Sequence, residues 1–212
     1  MLKIAELESG IRFWRKTKWP QDFHEYFYKH ELPPALNRTS FEVWWGRILP
    51  ILTRWKATRP KSSDDLTRNA RDLFPTLRIA YNAYNEKIFL KNDIAEVDWD
   101  EIAEFTSIVY SIKKVNSPVF TSKLCHFISP CIFPVVDNKS MGNPFQSYEE
   151  YFKYCKNLWA NTVPETQNEL IGILTKNIVD GRCAKIRELT VSDNFPIKCK
   201  LIELCIIGRK NH

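Results

Sequence analysis

From Leu66 to Tyr84 the apolar residues Leu66, Ala70, Leu73, Phe74, Leu77, Tyr81 and Tyr84 recur at intervals of three and four. Only a helix brings such positions onto one face, so the stretch predicts a long amphipathic helix, with a kink expected at Pro75, where a backbone donor is missing. Helix-opening patterns repeat along the chain: Thr39-x-x-Glu42, Ser62-x-x-Asp65, Ser147-x-x-Glu150 and Thr162-x-x-Glu165 all place a capping hydroxyl three residues before a carboxylate. Asp98 or Asp100 can cap a run through Ile102, Phe105, Ile108 and Val109 to Ile112. The last run, Pro196 to Gly208, starts on proline, ends on glycine and is apolar enough for the centre of a core. Six glycines leave little material for hairpin turns. Residues 88–97 read as a loop, with a short strand as the alternative. The expectation is an all-α, compact domain of about eight to ten helices. Its 212 residues would form a single unit with a cleft between two lobes, one of residues 1–60 plus the C-terminal helix and one of residues 61–195.

The stretch that carries chemistry is Ser117-Pro-Val-Phe-Thr-Ser-Lys-Leu-Cys-His-Phe-Ile-Ser-Pro-Cys-Ile-Phe-Pro-Val-Val-Asp137. Ser117 and Pro118 suit the start of a helix and Ser129-Pro130 its end. Val119, Phe120, Leu124, Phe127 and Ile128 share a buried face, and Lys123 lies on its margin. Partial desolvation and the positive end of the helix both disfavour the ammonium, so the Lys123 pKa is expected to fall, which is how an amine becomes a nucleophile near neutral pH. Lys123 is about 9 Å from the helix end, and the return from Pro130 can span on the order of 20 Å, so Asp137 is within reach of the same pocket. Pro130 and Pro134 make the return a rigid tether. The plainer alternative is a lysine that snorkels from a helix edge and an aspartate that caps the next helix.

The helix carrying Lys123, the connector Ser129-Pro-Cys-Ile-Phe-Pro-Val-Val and the following Asp137-Asn138 resemble the catalytic segment of the helix-hairpin-helix DNA glycosylase superfamily, closest to its small bacterial branch with an 8-oxoguanine DNA glycosylase fold. The resemblance covers roughly residues 105–160. It implies a DNA glycosylase, with or without lyase activity, that removes a damaged or modified base. Lys123 would attack the sugar C1′ of a flipped-out nucleotide, and Asp137 would stabilise the charge that develops as the base leaves. Lys113, Lys114 and Asn116 of the preceding turn would contact DNA. That turn has no glycine, whereas the superfamily hairpin is glycine-rich, and the lysine-to-aspartate interval of 14 residues is shorter than in well-studied members. A non-catalytic DNA-binding or protein-interaction module of the same fold is the second reading, and a pocket for a nucleoside or other small ligand is the third.

Other candidates surround this segment. Asn138 and Lys139 can hold phosphate. Arg12, Arg15 and Lys16 stand beside large rings in Arg12-Phe-Trp-Arg-Lys-Thr-Lys-Trp19, which suits a phosphate backbone as well as a solvated helix face. Base flipping needs planar walls, for which Trp44 and Trp45 are candidates; adjacent residues on a helix diverge by about 100°, so one of them is expected to be free to stack. His126, three residues beyond Lys123, is expected to contact a ligand or to hydrogen-bond at the surface.

Net charge is +6, from 31 Lys and Arg against 25 Asp and Glu, and residues 1–60 carry 11 basic and 6 acidic groups, so DNA is the expected partner. Six cysteines without a Cys-x-x-Cys pair suit reduced, buried thiols, and no metal or other cofactor is expected. A charged N-terminus and the lack of a long apolar run predict a cytoplasmic protein with no membrane partner. Serine hydrolase, P-loop and dinucleotide fingerprints are absent from the sequence.

Overall fold

Helix-capping hydroxyls and apolar spacing set the element order in the computed structural model, which describes residues 1–16, 28, 32–59, 62–115, 117–142, 145–179 and 195–210. Among the described residues there are nine α-helices, one 3₁₀ turn at Leu36–Arg38 and no strand. The helices are α1 Ile4–Arg15, α2 Phe41–Arg54, α3 Ser63–Lys87, α4 Trp99–Lys113, α5 Pro118–Ile128, α6 Asn138–Met141, α7 Tyr148–Ala160, α8 Pro164–Val179 and α9 Ile197–Lys210.

Ser62 opens α3, its hydroxyl accepting from the Asp65 amide at 3.1 Å. The predicted face is buried at Leu66, Ala70, Phe74, Leu77, Tyr81 and Tyr84, while Leu73 is half-buried. The helix continues through Pro75. Pro75 and Arg71 are both exposed, so water can serve the carbonyl that the proline leaves without a donor. Ser147 caps α7 as its spacing predicts, at 3.1 Å from the Glu150 amide. The Asp98 amide donates to Glu101 at 2.8 Å to open α4.

Two caps differ from expectation. Ser40, not Thr39, accepts from the Val43 amide and opens α2, because the 3₁₀ turn ends one residue before Thr39. Thr162 caps nothing: α8 starts at Pro164, whose fixed φ suits a first turn. The Thr162 hydroxyl instead donates to Leu158 O at 2.7 Å and accepts from the Leu2 amide at 2.8 Å, which ties the N-terminus to the end of α7.

A Cβ built on Gly10 would overlap the Leu204 carbonyl, and one on Gly208 would overlap the Glu6 carbonyl. The reversed order of these contacts makes α1 and α9 antiparallel, with backbones closer than any side chain permits. Gly208 was expected to end the last helix, yet α9 continues to Lys210. Its role is close packing, and Arg209 beyond it binds Glu6 of α1 at 2.8 Å.

The buried residues form one contiguous cluster. At its centre Tyr84 of α3 stacks on Phe105 of α4, with ring centroids 5.1 Å apart, and Phe133 lies 6.0 Å from Phe105. The loop after α3 forms turns, as the loop reading predicts, and Ile94 donates to Cys131 O at 3.1 Å. The α5-to-α6 connector therefore runs through the core.

Candidate functional site

Ser117 opens α5 by accepting from the Phe120 amide at 3.3 Å, and the helix ends at Ile128, before Ser129-Pro130. Every residue from Phe120 to Phe127 is buried, so Lys123 lies inside the core and not on the margin of one buried face. It is 8% exposed, and its ammonium donates to the Trp55 carbonyl at 2.7 Å. That carbonyl belongs to the exit of α2, where Ala57 N bonds Leu52 O and Lys56 N bonds Thr53 O, both at 2.9 Å. This pair of bonds closes a Schellman turn whose left-handed residue is Lys56, at φ 56. The last residue of α4 reaches the same exit: Lys113 Nζ donates to Ala57 O at 2.8 Å and Arg59 O at 2.5 Å. Two lysines from successive helices thus cap the end of a third.

Burial lowers the Lys123 pKa below the ordinary lysine value. The negative charges of Asp137 and Glu203 oppose the fall, while Lys200 and Lys56 add to it. Burial lowers Lys113 too, and the charge of Lys123 adds to that. The amine's own hydrogen bond goes to the main chain at Trp55 O.

Asp137 stands at the end of a tether in which the backbone groups from Phe133 N to Val136 N are all hydrogen-bonded. Phe133 N bonds Ser129 O at 3.2 Å, and His126 Nδ1 donates to Phe133 O at 2.6 Å. Tyr148 donates to Pro134 O at 3.0 Å and Tyr151 to Val135 O at 2.9 Å. Val135 N donates to Glu203 at 2.7 Å, and Val136 N to Ser122 Oγ at 3.0 Å. Proline stiffness begins this rigidity, and side chains of α5, α7 and α9 complete it. Asp137 caps α6, accepting from Lys139 N at 3.2 Å and Ser140 Oγ at 2.9 Å. It is half-buried.

His126 is fully buried, which corrects the expectation of a surface hydrogen bond: α5 is covered on every side. A carbonyl can only accept, so Nδ1 carries the proton toward Phe133 O and Nε2 accepts from the Tyr28 hydroxyl at 2.5 Å. Burial, with the nearby Lys200 charge, depresses its pKa to about 3. It is neutral at pH 7.

Glu203 and Lys200, 4% and 6% exposed, form a buried ion pair at 2.6 Å on α9. Sequence reasoning missed both. The available signal was two opposite charges at i and i+3 within a run already assigned to the core. Trp55 was missed as well; it stands over Phe127 at 4.9 Å, edge to face, and near His126 at 6.3 Å. No local pattern marks it.

Several predicted residues lie elsewhere. Trp44 and Trp45 are both in the core, against Phe74 at 5.6 Å and Phe41 at 6.1 Å respectively, and Trp45 donates to Thr67 at 2.9 Å. Neither is free to stack, because α2 is covered over more than one helix face. Trp44 also lies 11 residues before Trp55, about 16 Å along the axis at the usual helical rise, so it does not wall the Lys123 site. Lys113 is 3% exposed and spent on carbonyls, which removes it from the DNA-contacting set. Lys114, Asn138 and Lys139 are exposed. Arg12, Arg15 and Lys16 are exposed at the C-terminal end of α1, where Arg15 donates to Asn177 of α8 at 2.5 Å. Asn116 and Cys183 lie outside the described residues.

Among the described residues no three of His, Cys, Asp and Glu are grouped to hold a metal ion, and no helix is long and apolar enough to cross a membrane. Cys125, Cys131, Cys155, Cys199 and Cys205 are free thiols. A groove of about 450 Å³ opens between α3 and the end of α4, lined by Asn69, Asp72, Leu73, Tyr110, Ser111, Lys114 and Val115. Comparison with protein-family models, curated proteins and solved structures yields no match to this chain.

Proposed function

We propose that this protein is a DNA glycosylase-like protein in which Lys123 is the nucleophile and Asp137 its electrostatic partner. One arrangement carries the reading: a lysine amine buried in the core on α5, 8% exposed, and a half-buried aspartate at the end of a connector whose Val135 and Val136 amides are held by Glu203 and Ser122. In the reaction the neutral amine bonds to C1′ of an extruded nucleotide while the glycosidic bond breaks, and the base leaves with the bonding pair and takes up a proton. Asp137 stabilises the positive charge that develops on the sugar as the one bond breaks and the other forms. Lys123 has to exchange the Trp55 carbonyl for the sugar, so DNA binding must open the α2 exit.

The same hydrogen bond favours a second reading, a non-catalytic DNA-binding module in which Lys123 is a structural cap. Borohydride trapping on duplexes with damaged bases and with abasic sites separates the two. The glycosylase reading expects a covalent adduct with the wild type, less with Asp137→Asn and none with Lys123→Arg. Wild-type protein that binds DNA but gives neither adduct nor released base across a broad lesion panel leaves the binding module. Protein that does not bind DNA at low salt overturns both readings.

A further inference from the structure

The connector that leaves α5 runs back along the helix that carries Lys123. His126 Nδ1 donates to Phe133 O at 2.6 Å, and Ser122 Oγ accepts from the Val136 amide at 3.0 Å. Ser122 and His126 are four residues apart and share one face of α5, so the connector is clasped at two points. Residue 133 is held at 126 and residue 136 at 122, so the connector is antiparallel to the helix. The second point has a particular register. Lys123 follows Ser122 and Asp137 follows Val136, so a single hydrogen bond joins the immediate neighbours of the nucleophile and the carboxylate. Helical side chains lean toward the N-terminus of their helix, and the connector passes Ser122 in that same direction, so the amine and the carboxylate both leave the clasp toward the start of α5.

Ser122 and Val136 are both buried, so water does not stand in for either group. The Ser122 hydroxyl is oriented as well: it donates to Val119 O at 3.1 Å, which leaves its lone pairs for the Val136 amide. With about 3.8 Å between consecutive Cα atoms, the Ser122–Val136 bond keeps the Cα atoms of Lys123 and Asp137 within about 15 Å of each other. Any slip of the connector along α5 therefore passes directly into the spacing of the amine and the carboxylate. Glu203 holds the neighbouring Val135 amide from α9, which steadies the connector against the core, whereas Ser122 ties it to the nucleophile's own helix.

We infer that Ser122 is a positioning residue of the proposed reaction, holding Asp137 in register with the Lys123 amine through the Val136 amide. The inference rests on the glycosylase reading. Ser122 touches neither sugar nor base, and its effect on the reaction passes through Asp137.

Single-turnover borohydride trapping of the full-length protein on a duplex with an abasic site tests it, with DNA affinity and the urea midpoint measured on the same variants. The Lys123 amine condenses with the C1′ aldehyde, water leaves, and borohydride adds hydride to the cationic imine, so the trapping rate reports the amine and the carboxylate together. Ser122→Ala is expected to lower that rate about tenfold or more, as displacement of a reacting group does, with DNA affinity unchanged. In an Asp137→Asn background the same substitution is expected to cost little, because no carboxylate is left to place. A serine that only supports the fold would cost the same in both backgrounds. Gly10→Ala, which disturbs the contact between α1 and α9, is the control for lost stability and should trap at the wild-type rate. Ser122→Cys, close in size and a weaker acceptor, should fall between wild type and Ser122→Ala, and it carries the comparison of backgrounds if the alanine variant does not fold. An equal loss in both backgrounds, or a wild-type rate in folded Ser122→Ala, overturns the positioning role and leaves the glycosylase reading standing. Wild-type protein that binds the duplex and gives no adduct overturns the glycosylase reading, and the positioning role with it.

Discussion

The Lys123 ammonium donates to the Trp55 carbonyl at 2.7 Å, so the chain's candidate nucleophile is also the cap of a helix. The two roles make opposite demands on its proton. A cap is strongest as an ammonium, and a nucleophile must be neutral.

Stability should record that conflict as a function of pH. The folded-state pKa of Lys123 is lowered from 10.5, so between that lowered value and 10.5 the unfolded chain binds more protons than the native one. Stability therefore rises with pH across this window, and below it the desolvation cost is present in full. Lys123→Met removes the titration. Urea unfolding at pH 7 and pH 9.5 should show the wild type gaining relative to Lys123→Met; equal changes in both proteins would mean that the amine is not desolvated.

His126 carries the acid side of the profile. Its folded pKa of about 3 lies below the ordinary 6.5, so the native state binds fewer protons between those values, and stability is lost as pH falls from 6.5 toward 3. The loss amounts to several kcal/mol at about 1.4 kcal/mol per pH unit. His126→Gln starts from a lower stability at pH 7, having lost its bonds to Tyr28 and Phe133, but should lose less between pH 7 and pH 4.5. A wild-type urea midpoint as insensitive to acid as the variant's would contradict a neutral buried imidazole.

These two residues also divide what was legible in the sequence from what was not. The start and end of α5 follow from Ser117, Pro118 and Ser129-Pro130, which are local signals, and the structure has them where they were read. The environments of Lys123 and His126 depend on Trp55, Tyr28 and Phe133. Of these, Trp55 and Tyr28 are distant in sequence, and periodicity on one helix cannot tell a half-covered face from a fully enclosed one. Trp44 and Trp45 failed for the same reason: the 100° rule fixes where two rings point and is silent on how many helices meet them. Gly208 carried two meanings, helix end and close approach, and only its neighbour α1 decides between them.

Glu203 joins the ion pair to the tether, and the two contacts separate by mutation. Lys200→Met leaves a buried carboxylate without its partner and should cost about 3–5 kcal/mol. Replacing Lys200 and Glu203 together by Met and Leu removes both charges, but strands the Val135 amide that Glu203 accepts, a penalty of about 1–3 kcal/mol. The double variant should therefore recover part of the loss and not all of it. Recovery to wild-type stability in urea would show that the Val135 bond contributes little to holding the Asp137 tether.

Gly10 and Gly208 provide a test in which two effects have opposite signs. Alanine in place of a mid-helix glycine stabilises by about 1 kcal/mol where there is room. Here a Cβ at either position would overlap a backbone carbonyl of the partner helix, which cannot rotate away as a side chain can. Overpacking of this kind costs about 1–3 kcal/mol or more, so the net effect of Gly10→Ala or Gly208→Ala should be destabilising. Once one alanine has pushed α1 and α9 apart, the second has less to displace, so a double-mutant cycle should give a combined loss smaller than the sum. Gly46 and Gly172, which have nothing within 4 Å of a built Cβ, are the controls, and their alanine variants should gain stability. Stabilisation at Gly10 or Gly208 of the size seen at Gly46 would mean that the two helices do not cross at these glycines.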